Sequence, residues 1–302
     1  MTKQTIPRAE RLIAALDVAT PEEAKTLVQR LGDSVSFYKV GLELFMADGF
    51  FNLIDWLARQ GNKVFVDLKF FDIPETVRSA VRGLGNRGVT FATVHGNQAM
   101  LEAAGEAKGD VKILAVTVLT SLDQGDLDDL GFQCDVETLV LSRARRALEA
   151  GCDGVVSSGL EAPALRRELG ARLLVVVPGI RPVQNRPTRD QKRTVDVAQA
   201  FANGADYIVV GRPIRQAPDP RAAAQAIQAT IATVFPARVR AEAMRAARQA
   251  RRDRRQARPG SAIRCARRRS PSWHIRVCPG IRYNDPERER DRPSRDRCST
   301  SG

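Results

Sequence analysis

The strongest constraint on this chain is a rhythm: within residues 1–236, short β-branched apolar runs alternate eight times with longer amphipathic stretches. The runs are RLIAALDV (11–18), FYKVG (37–41), KVFVDLK (63–69), FATVHG (91–96), KILAVTVL (112–119), GVVSS (154–158), RLLVVVPGI (172–180) and YIVVG (207–211). Most are apolar almost throughout, as strands covered on both faces must be. Parallel strands need long crossovers, usually helical. Thr20-Pro21-Glu22-Glu23 reads as a capping box with proline at the first helical position. Residues 43–59, 74–86, 136–150, 194–202 and 219–234 carry apolar side chains at helical spacing. Eight strand-helix rounds predict an α/β fold, a (β/α)8 TIM barrel, for which about 250 residues is typical. A doubly wound sheet would carry a glycine-rich first turn, and LDVATPEE has no glycine.

Charge divides the chain in two. Its formal net charge is +13, yet residues 1–236 hold 28 basic against 28 acidic residues, and the whole excess lies in 237–302, with 20 Arg and no Lys. The neutral part is long enough to bury a substantial core and is expected to be one catalytic domain. The Arg-, Pro- and Ser-rich remainder predicts a largely disordered extension. It offers only Trp273 and Tyr283 for base stacking, so nucleic acid is not the expected partner, and nonspecific RNA contact by the tail is the alternative. No apolar run approaches the length of a membrane span, and the first residues lack a secretory pattern. Five scattered cysteines without a CxxC pair fit a cytoplasmic protein.

Two motifs mislead. Gly83-Leu84-Gly85-Asn86-Arg87-Gly88 spells GxGxxG, but it ends a helical stretch and precedes a strand, the reverse of a dinucleotide fingerprint. It reads as a cap and turn. His95 has no clustered ligands beside it and reads as a packing or interface residue, and no metal site is expected.

The chemistry concentrates in Asp67-Leu68-Lys69-Phe70-Phe71-Asp72-Ile73-Pro74-Glu75-Thr76. Residues two apart on a strand share a face, so Asp67 and Lys69 should point together toward the mouth of the barrel. Barrel active sites lie at that end. With Asp67 and Asp72 nearby, Lys69 is expected to stay protonated against the pull of burial and to act as a proton donor. Asp17, Lys39, Thr120 and Arg181 lie at or near other strand ends. Gly211 and Arg212 follow the last strand, where barrels commonly hold phosphate, and the basic stretch 181–193 suits closure over such a group.

At these residues the chain resembles the orotidine 5′-phosphate decarboxylase family. DLKFFDIPET, LDV, FYKVG, VTVLTS, PGIRP…DQKR and YIVVGRPI carry the resemblance, in this order, across nearly all of 11–235. It implies decarboxylation of orotidine 5′-phosphate to uridine 5′-phosphate without a cofactor, in a homodimer with shared active sites. It also implies roles: Lys69 protonates C6, Asp67 lies near the substrate carboxylate, and Asp72 and Thr76 reach into the neighbouring subunit. Asp17 and Lys39 bind ribose hydroxyls, Thr120 contacts the base, and Gln191, Gly211 and Arg212 hold the phosphate with help from Arg181. The chain departs from the family pattern at Phe71, where many relatives carry a polar or basic residue, in a loop without glycine between Arg181 and Gln191, and in its tail. The nearest enzymatic rival is a magnesium-dependent sugar-phosphate decarboxylase or lyase of the same barrel superfamily. The Ile73-Pro74-x-Thr76 continuation and Pro-Gly-Ile-Arg favour the nucleotide substrate.

Overall fold

The computed structural model describes residues 6–181 and 193–236. The chain divides into two units, Met1–Ala246 and Ala247–Gly302, and every described residue belongs to the first. Gln191 and the Arg-rich extension 237–302 lie outside the described residues.

Eight strands form a closed parallel barrel in sequence order. They are β1 (Leu12–Ala15), β2 (Phe37–Gly41), β3 (Lys63–Phe70), β4 (Val89–Val94), β5 (Lys112–Val116), β6 (Gly154–Val156), β7 (Leu174–Val177) and β8 (Tyr207–Val210). β8 pairs with β1 through Leu12↔Ile208, so no open edge remains. Around them run α1 (Pro21–Leu31), α2 (Leu42–Phe45), α3 (Phe50–Arg59), α4 (Pro74–Gly85), α5 (Gln98–Ala107), α6 (Gln124–Asp129), α7 (Val136–Glu149), α8 (Ala162–Leu169), α9 (Val197–Ala202), α10 (Arg212–Arg215) and α11 (Pro220–Val234).

Most of the strands end earlier than their apolar runs. Residues 16–18, 117–119, 157–158 and 178–180 have already left the sheet, because at the C-terminal face the chain turns outward into loops that carry polar groups. The stretch 43–59 is two helices: Gly49 sits at φ 85°, a left-handed conformation that interrupts the helical path. The capping box is also modified. Thr20 Oγ1 accepts the Glu23 N–H at 3.2 Å, but the Glu23 carboxylate accepts from Ala19 N–H instead of Thr20 N–H. The GxGxxG stretch closes α4, and Gly88 at φ 68° turns the chain into β4.

The period of two along each strand sorts side chains into two cores. Leu12, Ala14, Tyr38, Val40, Val64, Val66 and Ile208 face the helical shell. Ile13, Phe37, Phe65, Phe91, Leu114, Val176, Tyr207 and Val209 fill the barrel interior. Phe91 stands at the centre of that plug, with ring centroids 5.0 Å from Phe37, 5.9 Å from Phe65 and 5.1 Å from Tyr207. The plug is the floor on which the polar layer rests. Phe91→Ala should therefore destabilise the barrel by about 3–5 kcal/mol, read as a lowered denaturant midpoint. Phe91→Leu, which keeps more of the volume, should lower it less.

Candidate active site

Each inward column of side chains changes character on climbing the barrel. One inward step above Phe37 comes Lys39, above Phe65 comes Asp67, and above Phe91 comes Thr93. Here aromatic packing gives way to a polar cavity of about 500 Å³ at the C-terminal mouth.

The charges form an alternating row. Lys39 Nζ lies 2.9 Å from Asp17 Oδ1 and 3.6 Å from Asp67 Oδ2, and Lys69 Nζ lies 3.0 Å from Asp67 Oδ1. The sequence reading set Lys69 between two acids. The structure instead sets Asp67 between two lysines, because Lys39 arrives from the neighbouring strand while Asp72 turns away. Asp72 is exposed, and its Oδ1 accepts the Ile73 N–H at 2.6 Å. Thr76 is exposed on α4, and neither residue lines the cavity of its own chain.

Burial pushes the Asp67 carboxyl up, but the Lys39 and Lys69 ammoniums, with hydrogen bonds from Lys69 and Thr93, outweigh it and hold the group below the usual carboxylate range. Burial likewise pulls Lys39 down, and Asp67 and Asp17 more than reverse it. Both central members of the row are therefore charged at neutral pH. Gly41 makes room for them: a Cβ there would lie 3.1 Å from Lys39 Nζ.

Asp67 and Lys69 do meet, though not by simple strand alternation. Between the pairs Val66↔Ala92 and Phe70↔Val94, β3 spends two more residues than β4. Within this bulge Lys69 has φ 50°, the one positive φ outside glycine among the described residues. A bulge re-aims a side chain in this way.

The rest of the rim supplies polar and cationic groups. Thr120 follows β5, Arg181 follows β7, and Gly211 and Arg212 follow β8; all four line the cavity. Arg181 is held at the foot of its loop, its N–H donating to Val195 O at 3.0 Å. Arg193 behaves differently from a phosphate-closing residue. It is buried, 2.6 Å from Glu161, and donates to the carbonyls of Val118 and Leu119 at 3.2 and 2.9 Å. It ties the far end of the β7 loop to the β5 loop that carries Thr120.

His95 packs edge-on against Phe71, with centroids 5.6 Å apart, and does not line the cavity. Burial, then Arg143 and Lys69, lower its affinity for a proton. Sequence reasoning missed three lining or supporting residues. Glu43 and Arg215 line the cavity, and the Arg215 Nε is buried with no hydrogen-bond partner among the described residues. Thr93 is fully buried and bonded to Asp67. The signal for Thr93 was present: Phe-x-Thr repeats the Phe-x-Lys and Phe-x-Asp spacing of its neighbours. Among the described residues no three His, Cys, Asp or Glu side chains gather as metal ligands, and no helix is long and apolar enough to cross a membrane.

Comparison with known proteins gives the same picture from another direction. Residues 10–227 match the Orotidine 5′-phosphate decarboxylase / HUMPS family. An orotidine 5′-phosphate decarboxylase of Methylococcus capsulatus is 69% identical over 237 residues, covering 78% of this chain and 98% of the relative. One from Xanthomonas euvesicatoria is 53% identical over 241 residues, covering 78% and 98%. The crystal structure of the Lactobacillus acidophilus enzyme superposes with a TM-score of 0.65 at 36% identity, covering 74% of this chain and 99% of that one. With this match spanning the barrel and the strand ends that build the cavity, the chain belongs to the orotidine 5′-phosphate decarboxylase / HUMPS family.

Proposed function

We propose that this chain decarboxylates orotidine 5′-phosphate to uridine 5′-phosphate, with Lys69 as the proton donor. The observation that carries the reading is the row Asp17–Lys39–Asp67–Lys69 at the mouth of a barrel whose same cavity bears Gly211 and Arg212, after the strand that pairs with β1. Arg212 and Arg181 would hold the substrate phosphate, with Gln191 assisting, and Gly211 allows backbone to approach the anion. Asp17 and Lys39 would take the ribose hydroxyls and Thr120 the base.

In this arrangement the bond between C6 and the carboxylate breaks, carbon dioxide leaves, and the electron pair stays on C6. The Lys69 ammonium gives C6 a proton and becomes a neutral amine, which solvent reprotonates. A unit charge at 4 Å contributes about 4 kcal/mol at an effective dielectric near 20. An ammonium already fixed beside the developing carbanion supplies this without reorganisation. Asp67 lies next to the departing carboxylate and keeps the ammonium in place. In this reading the proton comes from a protein side chain.

The site is completed, in this reading, by a second copy. Leu42 and Met46 after β2, and Phe71 and Ile73 after β3, are 58, 82, 65 and 65% exposed. Large apolar side chains on adjacent loops support an interface, and Asp72 and Thr76 lie on the same segment as Phe71 and Ile73. Packing this rim against its equal would carry Asp72 and Thr76 toward the partner's cavity. The Phe71 departure then adds apolar contact where many relatives carry a polar or basic residue. The unpaired thiols of Cys134 and Cys152 suit a cytoplasmic enzyme.

Purified chain should consume orotidine 5′-phosphate in excess chelator, followed by loss of the substrate chromophore; strict dependence on added magnesium would instead favour the sugar-phosphate chemistry of the same superfamily. Lys69→Ala should lower kcat by at least about 10²- to 10⁴-fold, the usual contribution of a positioned general acid, and near-normal turnover would remove Lys69 from its role. Lys69→Ala and Asp72→Ala chains, each inactive alone, should regain roughly a quarter of wild-type activity when mixed, because each heterodimer of a twofold pair keeps one intact site. No recovery after mass spectrometry confirms mixed dimers would show that the sites are not shared.

A further inference from the structure

We propose that Thr93 is a positioning residue for the proton donor, holding the Lys69 backbone and the Asp67 carboxylate through one hydroxyl. The inference rests on the reading of Lys69 as the donor. Thr93 is 0% exposed and sits inward on β4, one step above Phe91. Its Oγ1 is 2.9 Å from the Lys69 backbone nitrogen and 2.9 Å from Asp67 Oδ1.

Chemistry fixes the direction of both bonds. A peptide N–H can only donate, and an ionised carboxylate can only accept. The hydroxyl must therefore accept from Lys69 and spend its single proton on Asp67. Each bond orients the other, and Val or Ala could reproduce neither. Valine matches the shape of threonine but offers neither group.

The place of these bonds gives them their effect. Lys69 holds φ 50° inside a segment where β3 has two more residues than β4, so the ladder that would otherwise set its backbone is interrupted. Across that interruption the Lys69 N–H has a side chain on β4 as its acceptor in place of a ladder carbonyl. The same hydroxyl fixes the oxygen, Asp67 Oδ1, to which the Lys69 ammonium is bonded at 3.0 Å. Both ends of Lys69, its backbone and its charged tip, are thus referred to one point on the neighbouring strand. Thr93 does not line the cavity, so it acts on the reaction only through these two residues.

This predicts a split in the kinetics. Arg181, Gly211 and Arg212 stand on β7 and β8 loops and do not depend on Thr93, so substrate binding should survive its replacement. Thr93→Val should lower kcat by about 10- to 100-fold, the usual effect of losing a hydrogen bond to a charged group, with KM changed less than about threefold. Thr93→Ser, which keeps the hydroxyl, should retain kcat within about threefold of wild type. Uridine 5′-phosphate affinity and thermal melting, measured on the full chain, report the fold of each variant. If Thr93→Val does not fold, Thr93→Cys replaces it: substituting sulfur for oxygen should lower kcat while Thr93→Ser does not. Wild-type turnover with an inactive Lys69→Ala establishes the underlying reading independently. With that reading intact, the proposal fails if Thr93→Val retains wild-type kcat, if serine loses as much as valine, or if KM rises as far as kcat falls.

Discussion

The Asp67 carboxylate, held between two ammoniums inside the mouth of a closed barrel, is the interaction on which the rest depends. Moving a charge out of water costs several kcal/mol per ion, and a pair recovers this only with good geometry and further hydrogen bonds. Here the row alternates in sign from Asp17 to Lys69, so each central charge has an opposite charge on both sides. The central members are also the drier ones. Side-chain exposure is 12% for Lys39 and 15% for Asp67, against 41% for Asp17 and 33% for Lys69. The inner charges are locked and the ends face the cavity. A lysine at the end of such a row has a direction imposed on it, while its remaining protons can reach a ligand.

Barrel closure makes this row affordable in structural terms. Lys39 and Asp67 come from different strands, and their approach is set by the register Val40↔Val66 and Gly41↔Asp67. Below them the plug around Phe91 excludes water and fixes the height of the polar layer. Above them the β5 loop supplies Thr120, and the β7 and β8 loops supply Arg181 and Arg212. The arrangement lines one cavity with the Lys69 ammonium and the Arg181 and Arg212 guanidiniums, which matches a substrate carrying both a reacting carboxylate and a phosphate. At the other end of the barrel, a cavity of about 420 Å³ includes Glu10, Lys63 and Asp153, but these charges are already satisfied: Lys63 pairs with Glu10 and Lys108 with Asp153.

Much of this was legible in the residues. Continuous apolar runs specify strands buried on both faces, and their count specifies the barrel. Polar residues at strand ends specify the cavity, and eight of the eleven site residues named from sequence do line it. What escaped depends on contacts between distant segments. The helix break at Gly49 was hidden because apolar spacing continues on both sides of it. The bulge in β3 was hidden because Val-Asp-Leu-Lys-Phe reads as plain alternation; only the shorter path of β4 beside it reveals the extra residues. Thr93 shares the Phe-x-polar spacing of Lys39 and Asp67 but passes for an ordinary strand residue, because threonine is at home in any strand. Arg193 looked like one more cation in a basic loop, and only the fold brings it to Glu161.

The left-handed backbone at Lys69 follows from these constraints together. A non-glycine residue held there costs about 1–3 kcal/mol and persists only where its surroundings over-determine it. Glycine would remove that cost, but it would also remove the ammonium. An ordinary strand conformation would keep the ammonium while returning the backbone to a ladder that does not run through this segment. The conformation at Lys69 is therefore the one local geometry that serves a bulged strand, a buried acid and a cavity-facing amine at once. The strain is sustained by the charge row on one side and by the Thr93 hydroxyl on the other.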